Sequence, residues 1–225
     1  MGQLVTAAVT DRLSPETQRQ MMDLDTFVQW QPDEEGRYEL IDGIPKKMQP
    51  AGPHTTISTF LTVKFGITIH QNQLPYTLST ECLVQAPDDG TGTDTGYIPD
   101  LCVIARNRLA QEKQWTTSAV IKNGTTLKLV VEVVSTNWQN DYSRKLTDYE
   151  QLGIQEYWIV DYRGLGAARY IGTPKRPTIT ILQLRDGEYT EEKFRAGDKL
   201  VSGVFPDLPL TADEISHNAE TYQTQ

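Results

Sequence analysis

Four side chains in this sequence have the types and settings to do chemistry together: Glu39, Asp100, Glu132 and Lys145. Glu132 is the most telling. It stands inside Leu127-Lys128-Leu129-Val130-Val131-Glu132-Val133-Val134-Ser135, a near-continuous apolar run of the kind that forms a strand covered on both faces. A carboxylate there loses its hydration and must be neutralised, paired or bound to a metal. Asp100 sits in a similar run, Tyr97-Ile98-Pro99-Asp100-Leu101-Cys102-Val103-Ile104. Two acids, each set in a short apolar strand, predict a divalent-metal site within a sheet. Hard oxygen ligands hold Mg²⁺ while leaving positions open for water, and the ion lowers the pKa of that water. A nearby lysine stabilises developing negative charge.

The elements that must position these groups follow from local pattern. Residues 1–20 are polar and weakly periodic, and are read as an arm. Residues 23–30 read as a short helix, and 37–48 as a hairpin turning at Asp42-Gly43. Pro50-Ala51-Gly52-Pro53 breaks the chain before a helix over 54–72, carrying Ile57, Phe60, Leu61 and Phe65 at helical spacing. Strands are predicted at 77–85 and 97–105, separated by a Gly- and Asp-rich surface loop that lacks EF-hand spacing. The strand at 127–135 leads into a helix from about 140 to 152, with Asn137 or Asn140 as its cap and Gly153 at its end. Along that helix Asp141, Lys145 and Tyr149 share a face. A strand at 156–162 follows, then a β-meander over 169–194 with a turn at Asp186-Gly187, a closing strand within 195–215 and a polar tail, 216–225. The expected organisation is an arm (1–20), one domain (21–215) and a tail (216–225), with an α/β fold around one mixed sheet.

Composition narrows the class. The 225 residues suffice for one domain with an ample core. No stretch approaches the roughly 20 apolar residues of a membrane span, and the start shows no secretory signal, so a cytoplasmic location is expected. Cys82 and Cys102 are expected to be buried free thiols. The net charge of −9 argues against strong non-specific attraction to phosphate backbones. It leaves room for an acidic catalytic cleft whose metal ions offset part of the repulsion.

Several separated motifs then occur in a specific order. They are Arg37-Tyr38-Glu39-Leu40-Ile41-Asp42-Gly43, Gly52-Pro53-His54, Pro99-Asp100, Val131-Glu132-Val133-Val134-Ser135, Asp141-x-x-x-Lys145-x-x-x-Tyr149, and Gly153-Ile154-x-Glu156-Tyr157-Trp158-Ile159-Val160-Asp161. This pattern resembles a large bacterial family of restriction-endonuclease type within the PD-(D/E)XK nuclease superfamily, from about Asp23 to about Asp207. The resemblance implies a restriction-endonuclease-like core, a mixed central sheet flanked by helices, with the C-terminal β-meander added. It implies an endonuclease that hydrolyses DNA with Mg²⁺, Mn²⁺ being a possible substitute. Asp100 and Glu132 would hold the metal, Glu39 would be an accessory acid, and Lys145 the catalytic lysine. One departure matters: the superfamily pattern places the lysine two residues after the second acid, where this chain has Val134. The family it resembles has the lysine on the following helix, where Lys145 stands.

Blander readings stand beside each assignment. From the residues alone, Glu132 is equally a metal ligand or a buried partner of a Lys or Arg. Pro99-Asp100 is also ordinary turn chemistry. Lys145 also fits an i,i+4 pair, and Glu39 an alternating strand. Tyr142 and Tyr149 read as core or cleft-wall aromatics, and His54 as a residue that caps or packs rather than ligates. Ser135 lacks the context of a nucleophile. Trp115, Trp138 and Trp158 read as packing residues, although an exposed one could stack on a base. The alternative function is a nuclease-fold binding or scaffold protein with weak or no catalysis. A homodimer is compatible with the meander and with the family resembled.

Overall fold

The structure, a computed structural model, describes residues 21–49 and 51–220. The arm read over 1–20 lies outside the described residues, as do the last five positions of the tail. The chain divides into two compact units, the first made of the chain up to Gln49 with Cys82–Ile98 and Glu112–Lys122, the second of the remainder.

In chain order, the first unit opens with α1 (Leu24–Gln29), capped by Asp23, whose side chain accepts from the Thr26 amide. The hairpin β1 (Arg37–Ile41) and β2 (Ile44–Met48) follows. Its turn falls at Asp42-Gly43 as predicted, with φ of 53° and 75°, values that suit Asn, Asp and Gly. The chain enters the second unit with the 20-residue α2 (Gly52–Gln71) and β3 (Tyr76–Ser79). It returns for β4 (Leu83–Gln85) and β5 (Gly96–Tyr97), leaves for β6 (Leu101–Ala105), and returns once more for α3 (Trp115–Ser118) and β7 (Val120–Ile121). From β8 (Leu127–Val133) it stays in the second unit, through α4 (Lys145–Leu152), β9 (Glu156–Asp161), α5 (Ala168–Ile171), β10 (Thr178–Arg185), β11 (Glu188–Phe194) and α6 (Ala212–Glu220).

Each unit has its own mixed sheet. The first runs β2-β1-β5-β4-β7 over a small core of Leu24, Phe27, Leu40, Leu83 and Val120. The second runs β11-β10-β9-β8-β6-β3, with β8 parallel to β9 and antiparallel to β6. Its main core gathers Leu129, Val131 and Val133 from β8, Trp158 and Val160 from β9, and Ile57, Leu61 and Phe65 from α2. The intervening residues Val130 and Glu132 point to the opposite face, since successive side chains alternate. Central placement of β8 explains its apolar run. The strands β9, β10 and β11 form the C-terminal meander, and both cysteines are buried thiols.

Several local readings are corrected. The strands predicted at 77–85 and 97–105 are each two strands in two different sheets. The second break falls at Ile98–Asp100, where Pro99 lacks an amide donor and restricts the residue before it. The stretch 195–215 holds no strand, only a Lys199–Thr211 bridge, and α6 carries the chain through half of the stretch read as a tail. Of the two residues read as caps for the helix after β8, Asn140 lies within the helix. Asn137 stands directly before the first helical residues, Trp138 and Gln139, and its carbonyl accepts from the Asn140 amide at 3.0 Å. A π-helical stretch, Asn140–Arg144, follows, with no side-chain cap. Gly153 ends the helix in the left-handed conformation, φ 75°, as expected.

Candidate active site

Strand register brings Asp100 and Glu132 near one another. The ladder between β6 and β8 ends with Leu101 opposite Val131. Asp100, in the bend just before β6, and Glu132, on β8, are the next residue on each side. The Val133 amide donates to Asp100 Oδ2 at 2.7 Å, so the aspartate side chain extends the ladder where Pro99 ends it. His54, in the first turn of α2, brings Nε2 to 3.2 Å from the same oxygen. Both contacts fall on Oδ2, which leaves Oδ1 for a ligand. For Nε2 to donate, the neutral ring carries its lone pair on Nδ1, and that atom is buried without a partner among the described residues.

Glu132, 3% exposed, is held from α4. Lys145 Nζ lies 3.0 Å from Oε2 and the Tyr149 hydroxyl donates to Oε1 at 2.7 Å. Lys145, itself 6% exposed, also lies 3.8 Å from Asp141. Here the i,i+4 spacing of Asp141, Lys145 and Tyr149 acts as predicted: one helical face meets one carboxylate. The π-helical stretch places Asp141 at the start of that face, its geometry fixed by the Tyr157 hydroxyl, which donates to the Asp141 carbonyl at 3.0 Å. Burial, and next the Asp141 and Glu132 carboxylates, push the Tyr157 phenol well above its usual range, so it stays protonated and able to donate.

The second unit therefore brings Asp100, Glu132 and Lys145 together, and adds His54, Asp141 and Tyr149. His54 was read as a capping or packing residue and Tyr149 as a cleft-wall aromatic; both in fact hold an acid. Helical spacing signalled Tyr149, whereas nothing local signalled His54, which lies 46 positions from Asp100. Glu39 belongs to the first unit, where it is half-buried on β1 and its Oε1 accepts from the Ile98 amide at 3.1 Å.

Three acids, Asp100, Glu132 and Asp141, are thus gathered around Lys145 and His54. Among the described residues no three His, Cys, Asp or Glu side chains form a ready cage for an ion. Mg²⁺ is commonly bound by one or two carboxylates plus substrate phosphate, and Asp100 Oδ1 is the oxygen of this pair that the contacts above leave open to such an ion.

The fold has a counterpart among solved structures. A crystal structure described as a putative nuclease belonging to DUF820, from Anabaena variabilis, superimposes with a TM-score of 0.65 at 17% identity, over 88% of this chain and 99% of that one. The chain belongs to the Uma2 family, described as putative restriction endonuclease, which it matches over residues 24–213. No curated protein matches the sequence. No described helix is long and apolar enough to cross a membrane.

Proposed function

We propose that this protein is a metal-dependent endonuclease that hydrolyses DNA phosphodiester bonds, working in the cytoplasm. The observation that carries the reading is the neighbouring pair Asp100 and Glu132 with Lys145 3.0 Å from Glu132, within a chain of the Uma2 family. Asp100 and Glu132 would hold Mg²⁺ or Mn²⁺. When bound, such an ion lowers the pKa of a water and neutralises charge on the phosphate.

The chain's own residues supply the rest. His54 and the Val133 amide fix Asp100 through Oδ2, and Tyr149 fixes Glu132 through Oε1. Lys145, held between Glu132 and Asp141, presents a fixed positive charge to the attacking water or to the phosphate oxygens. In the reaction the water oxygen joins phosphorus, the bond to one strand end breaks, and that leaving oxygen takes up a proton.

A second reading keeps the fold without the catalysis. It is favoured by one observation: both Glu132 oxygens already have a donor, Lys145 and Tyr149. Supercoiled plasmid incubated with the protein and Mn²⁺ separates the two. Nicking or linearisation that disappears with EDTA and in Glu132→Ala is expected. A folded protein that leaves plasmid intact with every divalent metal would establish the binding or scaffold reading instead.

A further inference from the structure

The acidic chain carries a stretch dense in positive charge. From Tyr162 to Arg185 there are five Lys or Arg residues and no Asp or Glu, in a sequence with 30 acids against 21 bases. Most of this stretch is the loop between β9 and β10, folded back on itself. Lys175 Nζ donates to the Leu165 carbonyl at 3.2 Å, and Gly164 lies so close to Arg176 that a Cβ there would fall 3.0 Å from its backbone. Arg163, Arg169, Lys175 and Arg176 are exposed, and among the described residues none of them pairs with a carboxylate.

Tyr170 of this loop packs against two aromatics, Trp138 and Tyr142, beside the candidate active site. Tyr142, buried in the π-helical stretch beside Asp141, stacks on half-buried Tyr170 at 4.8 Å and 19°. The Arg169 guanidinium lies 4.6 Å from the Tyr170 ring centre and donates to its hydroxyl at 2.8 Å. Trp138, half-buried at the start of the helix after β8, meets both tyrosines edge-on at 6.5 and 6.2 Å. Beneath them the buried Asp161 carboxylate accepts from the Leu165 and Gly166 amides at 2.9 and 2.8 Å, which pins the loop to the end of β9. At Gly166 a Cβ would fall 3.0 Å from the Tyr142 ring, so the backbone runs directly against it.

We infer that this surface binds single-stranded DNA, with bases stacking on Trp138 and on the Arg169–Tyr170 layer and phosphates on Arg163, Lys175 and Arg176. Aromatic and guanidinium planes bind unpaired bases irrespective of sequence, whereas in a duplex those base faces are already stacked. The cations supply the electrostatic attraction that the rest of the chain lacks. The inference rests on the nuclease reading and specifies its substrate: strands with unpaired bases next to the cleft.

The test is fluorescence anisotropy in EDTA with a labelled 20-mer, as single-stranded DNA, as duplex DNA and as RNA of the same sequence. The single DNA strand should bind at least tenfold tighter than the duplex. Trp138→Ala and Arg169→Ala should each weaken strand binding roughly tenfold. Arg169→Lys, which keeps the charge and loses the plane, should weaken it nearly as much. Changing Arg163, Lys175 and Arg176 together to Gln should flatten the log–log salt dependence by about 2. Equal binding of strand and duplex, tenfold preference for RNA, or full retention in Arg169→Lys and Trp138→Phe alongside unchanged Trp138→Ala would overturn the inference. Plasmid nicking separates this from the nuclease reading: nicking with unaltered strand binding in the variants overturns only the stacking surface, and strand binding without nicking overturns only catalysis.

Discussion

Glu132 and Glu156 are buried alike, 3% and 1% exposed, on the adjacent parallel strands β8 and β9, yet their surroundings differ in kind. Glu156 is enclosed by neutral donors. The Trp158 indole and the Ser202 hydroxyl each donate at 2.6 Å to one oxygen, and the Gly203 and Val204 amides donate at 2.6 and 3.2 Å to the other. No cation is among these partners, and every one of them ties the loop after β11 to the sheet or fixes the tryptophan of the main core. Glu132 instead meets a lysine and a tyrosine hydroxyl, with a second and a third acid nearby. Burial of an acid alone does not mark a site for chemistry. Acids that share one lysine do, because such coupled titratable groups are what a substrate or metal ion can engage.

The comparison can be broken most directly by exchanging the roles in single variants. Glu132→Ala is expected to cut plasmid cleavage roughly 10³-fold, several kcal/mol of transition-state stabilisation, while the melting temperature moves by only a few degrees because charge crowding is relieved. Glu156→Ala should do the reverse. It orphans buried donors at a cost of about 3 kcal/mol, visible as a Tm lower by roughly 10 °C in calorimetry, with cleavage at a permissive temperature within about twofold. A large Tm loss in Glu132→Ala would make that acid a structural partner after all.

Lys145→Ala sharpens the contrast within the site. It should lower cleavage roughly 10²-fold and also destabilise, since two carboxylates, Glu132 and Asp141, would lose their lysine. Added Mg²⁺ should raise its Tm more than that of the unaltered protein, which thermal scans with and without the ion would read.

The smallest expected effect is on pH dependence. Burial raises the pKa of Glu156 above the ordinary carboxylate range, and its donors only partly counter this. The folded state therefore holds this proton at pH values where the unfolded chain has released it. Stability from this group is complete below the unfolded pKa and declines as pH rises through the folded one. Denaturation midpoints across that mildly acidic window should fall with rising pH, and the Glu156→Ala variant should lack this component.

Much of the site was legible because its signals are local. A single acid in an apolar strand needs only the burial of that strand to become significant, and Asp141, Lys145 and Tyr149 needed only helical spacing to share a face. The hairpin turn at Asp42-Gly43 and the stop at Gly153 were equally readable, since each rests on the conformational freedom of one or two residues. By contrast, the split of two predicted strands between two sheets left no local mark, because a short apolar strand pairs equally well with either neighbour. Three of the four partners of Glu156, Ser202, Gly203 and Val204, lie 46 to 48 positions away, and His54 lies 46 positions from Asp100. The order of motifs along the chain identified the family before any contact was known.

By itself, then, the sequence determined which residues could act and which elements carry them: two acids in apolar strands, a lysine one helix later, a meander behind. Only the tertiary structure decided that Asp100 stands near Glu132, that Lys145 reaches Glu132 while Val134 occupies the usual lysine position, and that His54 and Tyr149 hold the acids in place. Those outcomes depend on strand register and on where one helix docks against the sheet. Both are set by packing many distant side chains at once, and no window along the chain contains them.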